Sequence, residues 1–194
     1  MENFFAFADL LRSLKTTKRR GWVLRGVHDP ESVADHMYRM AMLALTVDTT
    51  KCNVSREHCA KMALVHDLAE SIVGDIAPCD NVPKEEKQRR EMDAMKHIQE
   101  LLPAEAGAEV LALFEEYESG QSPAACLVKD LDKFDMILQA YEYEKADKRP
   151  GGLQEFFDST EGKFKTELVQ GWVAELRTKR TEWIERQTTC TSPQ

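Results

Sequence analysis

Apolar residues recur along this chain at intervals of three and four, and no stretch alternates apolar with polar over the length of a strand. Phe4, Phe7, Ala8, Leu11 and Leu14 predict an amphipathic helix over residues 2–17 that packs on the core through its phenylalanines. Val33, Met37, Met40, Ala44 and Val47 form the buried stripe of a second helix. Asp29 is its expected cap, Pro30 its first helical position, and its end falls near Asp48. Ser55 can cap a third helix, with Met62, Val65, Ala69, Ile72 and Val73 around its circumference and Gly74 and Pro78 ending it. Residues 84–102 read as a highly charged helix that turns Met92, Met95, Ile98 and Leu102 inward. Pro103 separates it from a short helix ending near Tyr117. Ser122-Pro123 opens a long helix to about 146, with a seam of Leu127, Leu131, Phe134, Leu138 and Tyr141. After Pro150-Gly151-Gly152, two more helices are expected at 153–162 and 166–186. Only the segment TTKRRGWVLRGVHDP, residues 16–30, breaks the period and reads as a loop or irregular arm. The predicted fold class is all-α.

Composition narrows this picture. A chain of 194 residues with 42% hydrophobic content can bury one core, so a single domain is expected over 1–187, followed by a disordered tail over 188–194. A net charge of -8 argues against a nucleic acid polymer as partner. No apolar run approaches the length of a membrane span, and no secretory leader precedes the first helix. Five cysteines without C-x-x-C spacing indicate neither a disulfide framework nor a zinc knuckle. They fit a reducing compartment: the cytoplasm, with the nucleus also open to a chain of this size.

The chemistry lies in a few polar residues at helical positions that ought to be apolar. In AKMALVHDLAESIVGDIAP, residues 60–78, helical spacing puts His66, Asp67 and Glu70 on one face around the small Ala63. Taken alone, that face is simply the wet side of an amphipathic helix. His36 stands at the edge of the second helix's stripe, where a lone histidine is more often a hydrogen-bonded core residue. Asp130, Asp132 and Asp135 flank the seam of the long helix. Wheel geometry puts Asp135 nearer the seam than Asp132 and leaves open which carboxylate turns inward. Each of these groups is costly to bury singly. Two imidazoles and two carboxylates from three helices offset one another if they share a divalent cation such as Mn²⁺, Co²⁺, Fe²⁺ or Zn²⁺. Such an ion can polarise a phosphoryl oxygen and activate water.

The order H…HD…D, formed here by His36, His66-Asp67 and Asp132 within KDLDKFDM, resembles the HD-domain metal-dependent phosphohydrolases. With ESVADHMYRMA, LVHDLAESIVGDIAP, NVPKEEKQRREMDAM and LDKFDMILQAYEYE, the chain is similar to the HD-type 5′-deoxynucleotidases from about Leu10 to about Leu176. The resemblance implies an HD-domain helical bundle, a homodimer, and hydrolysis of deoxynucleoside 5′-monophosphates to deoxynucleosides and phosphate. It implies His36, His66, Asp67 and Asp132 as ligands of a divalent cation (Mn, Co, Mg, Fe or Zn). Loss of Asp132 is then expected to abolish activity and loss of Asp135 largely to spare it. Glu70 matches an acid that assists proton transfer, and Asp75 one at the sugar or the attacking water. Trp22 matches a tryptophan that packs against the sugar and excludes a ribose 2′-hydroxyl. Bacterial members have arginine directly before that tryptophan, where this chain has Gly21, so the phosphate clamp is expected to fall to Arg20 or Arg25. The readings weighed against this one are an HD phosphohydrolase of another phosphate ester and a non-catalytic helical regulatory domain. Retention of every metal-site residue together with Glu70 speaks against the second.

Overall fold

A computed structural model describes residues 1–77 and 80–190. Among the described residues ten α-helices follow one another: α1 (Glu2–Thr16), α2 (Arg20–Leu24), α3 (Val33–Leu45), α4 (Arg56–Val65), α5 (Glu70–Val73), α6 (Lys84–Leu101), α7 (Ala104–Ser119), α8 (Pro123–Ala146), α9 (Gln154–Ser159) and α10 (Glu167–Cys190). Among the described residues there is no strand, only one isolated antiparallel bridge between Lys18 and Ser32. The all-α expectation holds.

The core forms where α3, α4, α7 and α8 pack on one another, with α1, α9 and α10 laid on the outside. Val33, Met37, Met40, Ala44 and Val47 are all buried, as the period of α3 requires, and Met62, Leu127 and Leu131 meet them from α4 and α8. Ser55 and Ser122 cap α4 and α8 as expected, each accepting the amide N–H three residues on.

Five expectations change. The cap of α3 is Ser32, not Asp29. Ser32 and Asp35 close a reciprocal capping box, while Asp29 sits at φ 47°, outside the extended region that a cap needs. The preceding residues are held against the arm, with Arg19 N–H donating to Glu31 O at 3.1 Å and Val33 N–H to Thr17 O at 2.9 Å. The helix also stops at Leu45, short of Asp48. Within the arm, Arg20–Leu24 forms the short helix α2, too brief to show a period in the sequence. On α1 only Leu14 is buried; Phe7 and Leu10 rest against the core, and Phe4 and Phe5 stand exposed. Finally, α10 runs on through Cys190, so residues 188–190 are helical where a disordered tail was expected. The rest of that tail, and Pro78, lie outside the described residues.

Candidate metal centre

The third predicted helix is in fact two. α4 ends at Val65, His66 is its C-terminal cap residue, and α5 begins at Glu70. Tight turns bridge the gap, with Leu68 N–H donating to Val65 O at 2.9 Å and Glu70 N–H to Asp67 O at 3.0 Å. The break has a chemical result. The Ala63 carbonyl lies beside the His66 ring and takes its Nδ1 proton at 2.8 Å, because a carbonyl can only accept. His66 Nε2 is therefore left as a lone pair, buried and without a hydrogen bond.

His36, from the first turn of α3, reaches the same condition by another route. Its ring is fully buried, its Nδ1 lies 2.7 Å from Asp135 Oδ2, and its Nε2 makes no hydrogen bond. Around these two nitrogens stand carboxylate oxygens. Asp67 Oδ2 is 3.2 Å from His66 Nε2 and 3.9 Å from His36 Nε2, and Asp132 Oδ1 is 3.3 Å from His36 Nε2. The other Asp132 oxygen accepts the Tyr117 hydroxyl at 2.9 Å. Ligand atoms of His36, His66 and Asp67 all lie within 4.8 Å of one another.

Two buried Nε2 atoms without hydrogen bonds converge with two carboxylates on one space, which calls for positive charge there, whether a proton on the imidazole or a bound cation. This donor set of imidazole and carboxylate suits a divalent first-row cation. The electrostatics carry the same demand. Burial and the Arg19 charge push the His36 imidazole down, yet Asp132 and Asp135 outweigh them and raise it to about 9. Burial by itself would raise the Asp67 and Asp132 carboxyls; the neighbouring histidines and Arg19 hold both well below the usual range.

A cavity of about 500 Å³ opens over this centre. Glu70 forms part of its wall, 4% exposed, with Oε2 unpartnered. Burial, then the charges of Asp67 and Asp75, push its carboxyl well above the normal value. Asp75 lines the cavity as well, and its Oδ2 accepts the Arg20 backbone N–H at 2.6 Å, which caps the otherwise uncapped α2 from across the chain. Trp22 is buried against Phe156 (centroids 4.3 Å) and Tyr143 (5.4 Å), with its indole N–H on Glu31 Oε1 at 2.9 Å. It contributes to the cavity beside Gly21, where a Cβ would meet the Phe156 ring at an ordinary 3.5 Å.

The arginines fall differently from expectation. Arg20 turns its guanidinium onto Asp80 at 2.6 Å and does not line the cavity. Arg25 does line it, but its fork is spread over both oxygens of Glu155 at 2.6 and 2.7 Å. Arg19 is the arginine that reaches the centre, donating from Nη1 to Asp67 Oδ2 at 3.2 Å with only 16% of its side chain exposed. Three adjacent cations in an aperiodic arm carry no signal as to which faces inward, so sequence reasoning passed over it. Lys129 and Lys133 of α8 and Lys87 of α6 add positive charge to the cavity wall.

A family model described as HD domain matches residues 11–172. The chain is 54% identical to 5′-deoxynucleotidase HDDC2 of Danio rerio over 184 residues, covering 95% of this chain and 91% of that protein. It is 51% identical to 5′-deoxynucleotidase HDDC2 of Homo sapiens over 175 residues, covering 90% and 85%. Among solved structures, a conserved hypothetical protein from Pyrococcus furiosus matches with a TM-score of 0.75 at 33% identity, covering 90% of this chain and 99% of the other.

Proposed function

The chain belongs to the HD domain family, and from that premise we propose that it is a metal-dependent 5′-deoxynucleotidase. It removes the 5′-phosphate from deoxyribonucleoside 5′-monophosphates to give a deoxynucleoside and phosphate. The observation that carries the reading is the pair of buried, unpartnered Nε2 atoms of His36 and His66 facing Asp67 and Asp132. In this reading those four residues hold one divalent cation. When bound, the ion supplies Lewis-acid polarisation of a phosphoryl oxygen and a more acidic water.

The chain's own residues do the rest. Glu70, whose burial favours its neutral form, is the general acid for the departing 5′-oxygen. Asp75, on the same wall, meets the sugar or the attacking water. Trp22 bounds the sugar, and its backing by Phe156 and Tyr143 supports a rigid wall that has no room for a 2′-hydroxyl. Arg19, with Lys129 and Lys133 beside it, takes the phosphate role that the resemblance left to Arg20 or Arg25. The metal's identity belongs to the same proposal: Mn²⁺, Co²⁺, Fe²⁺, Zn²⁺ or Mg²⁺.

We also propose a homodimer. Tyr38, Met42 and Leu45 form an exposed apolar stripe on α3 at 65%, 44% and 42% exposure, which supports a subunit contact there. The cytoplasm is the proposed compartment; no helix among the described residues is long and apolar enough to cross a membrane.

The test is a nucleotide panel assayed on chelator-stripped protein with each cation restored in turn. Phosphate release from dAMP, dGMP, dCMP and dTMP is expected to exceed that from the ribonucleotides by a wide margin. Equal turnover of AMP and dAMP would defeat the Trp22 role, and no cation-dependent release from any nucleotide would defeat the enzyme reading.

A further inference from the structure

Asp135 is fully buried and does not line the cavity, yet it touches the centre through His36. An ionised carboxylate can only accept, so the His36 nitrogen 2.7 Å from Asp135 Oδ2 is the one that carries hydrogen. The other nitrogen is then free to face Asp67 and Asp132. Burial alone would raise the Asp135 carboxyl, but His36 and Arg39 outweigh it and keep the group ionised.

Asp135 is itself held. Arg39 Nε donates to Asp135 Oδ1, Arg39 Nη2 to the Asp135 carbonyl at 3.3 Å, and Arg39 Nη1 to Glu142 Oε2 at 2.8 Å. Arg39 follows His36 by one turn of α3, and Glu142 follows Asp135 by two turns of α8. One guanidinium fork therefore pins the helix that carries His36 to the helix that carries Asp132.

A second grouping of acids lies on this side: Glu31, His36 and Asp135 also have ligand atoms within 4.8 Å. Each of its three side chains already holds a hydrogen-bond partner. Glu31 Oε1 holds the Trp22 indole, Asp135 Oδ1 holds Arg39, and His36 Nδ1 holds Asp135. No lone pair there resembles the two orphaned Nε2 atoms, so this grouping supports a ligand rather than forming a second cation site.

We infer that Asp135, held by Arg39, is a positioning residue: it selects the His36 tautomer that presents Nε2 to the cation and fixes the ring's angle. The bland alternative is that Asp135 merely satisfies a buried histidine and contributes to folding alone. The two differ in what happens to metal affinity. Carboxylate partners of ligating histidines raise ligand basicity and set orientation, and their loss costs roughly 10- to 100-fold in affinity.

This inference rests on the metal-centre reading above, and its experiment keeps the two apart. Chelator-stripped protein is titrated with Mn²⁺ and Co²⁺ in competition with a chromophoric chelator, with folding checked by circular dichroism. Asp135→Asn keeps the side-chain shape and removes the charge; it is expected to weaken binding about 10-fold or more. Arg39→Met leaves Asp135 in place but unheld, and a smaller loss, about threefold or more, is expected because the carboxylate partner remains. Glu142→Gln, at the exposed end of the fork, should bind as the unaltered chain does. If Asp135→Asn does not fold, Arg39→Met decides. Folded variants that bind both cations with unchanged affinity would overturn the positioning role, whatever their stability. A failure of the unaltered chain to bind any cation would instead overturn the metal-centre reading.

Discussion

Glu70 is the carboxyl whose surroundings work hardest against ionisation. Burial comes first among the causes, then the negative charges of Asp67 and Asp75. A general acid must hold its proton at the working pH, so kcat is expected to fall as pH rises through the raised Glu70 value. Glu70→Gln should lower kcat by about 100-fold or more and abolish that limb. A pH-rate profile of both proteins checks this, and a variant that keeps both rate and limb would remove Glu70 from the chemistry. The same shift has a sign for stability. A folded-state value above the unfolded one contributes stability that is complete below the usual 4.5 and is lost as pH rises through the raised value. In stripped protein, Glu70→Gln should therefore gain on the parent as pH climbs through that window. At this scale much of the site was legible in the sequence, because His36, Asp67 and Asp132 are polar residues in strongly periodic surroundings. The ambiguity between Asp132 and Asp135 was real. A helical wheel gives direction from an axis but not what stands there, and here His36 lies between the two, with Nε2 toward Asp132 and Nδ1 toward Asp135. The resemblance assigns Asp132 as the ligand and on that basis expects loss of Asp135 to be tolerated; the contact of Asp135 with His36 Nδ1 is the reason to test it.

Element by element, the long periodic helices were readable and the short irregular ones were not. α6 and α8 match their predicted spans because the apolar period and the Ser122-Pro123 start signal agree. The break between α4 and α5 left no mark, since His66, Asp67 and Glu70 suit a continuous helix and a tight turn equally well. α2 could not be read either, because its cap comes from Asp75, 55 residues away in sequence. The start of α3 shows how two plausible caps compete. Asp29-Pro30 has the better local signature, but pairing of the arm with residues 31–33 moves the start to Ser32. Ser32→Ala removes the hydroxyl half of the capping box, leaves the backbone N–H of residue 32 on Asp35, and is expected to cost about 1 kcal/mol. Urea unfolding followed by helix signal should show a lower midpoint with an unchanged slope. An unshifted midpoint would return the cap to Asp29.

Across the whole molecule, the part of the cavity wall that carries Phe156 depends on an ion pair whose residues do not line the cavity. Glu144 of α8 is fully buried and takes both forks of Arg180 of α10 at 2.8 Å. Its Oε1 also accepts the Leu153 N–H at 2.8 Å, and Arg180 Nη1 donates to Gln154 at 2.8 Å. Three helices thus meet on one carboxylate. Arg180→Ala would leave that charge buried and unanswered, and a loss of roughly 3–5 kcal/mol is expected in urea unfolding. A loss below about 1 kcal/mol would mean that water reaches the site, as it does for exposed pairs. A six-residue helix such as α9 is too short to hold itself together, yet it carries Phe156 against Trp22. Anchored at its first residues to a fully buried ion pair, α9 is expected to open only together with α8 and α10. Its amide protons should exchange with solvent only as slowly as those of α8, in one cooperative unit. On that timescale the side of the cavity that carries Phe156 is a fixed wall, and traffic in and out must pass elsewhere around the rim.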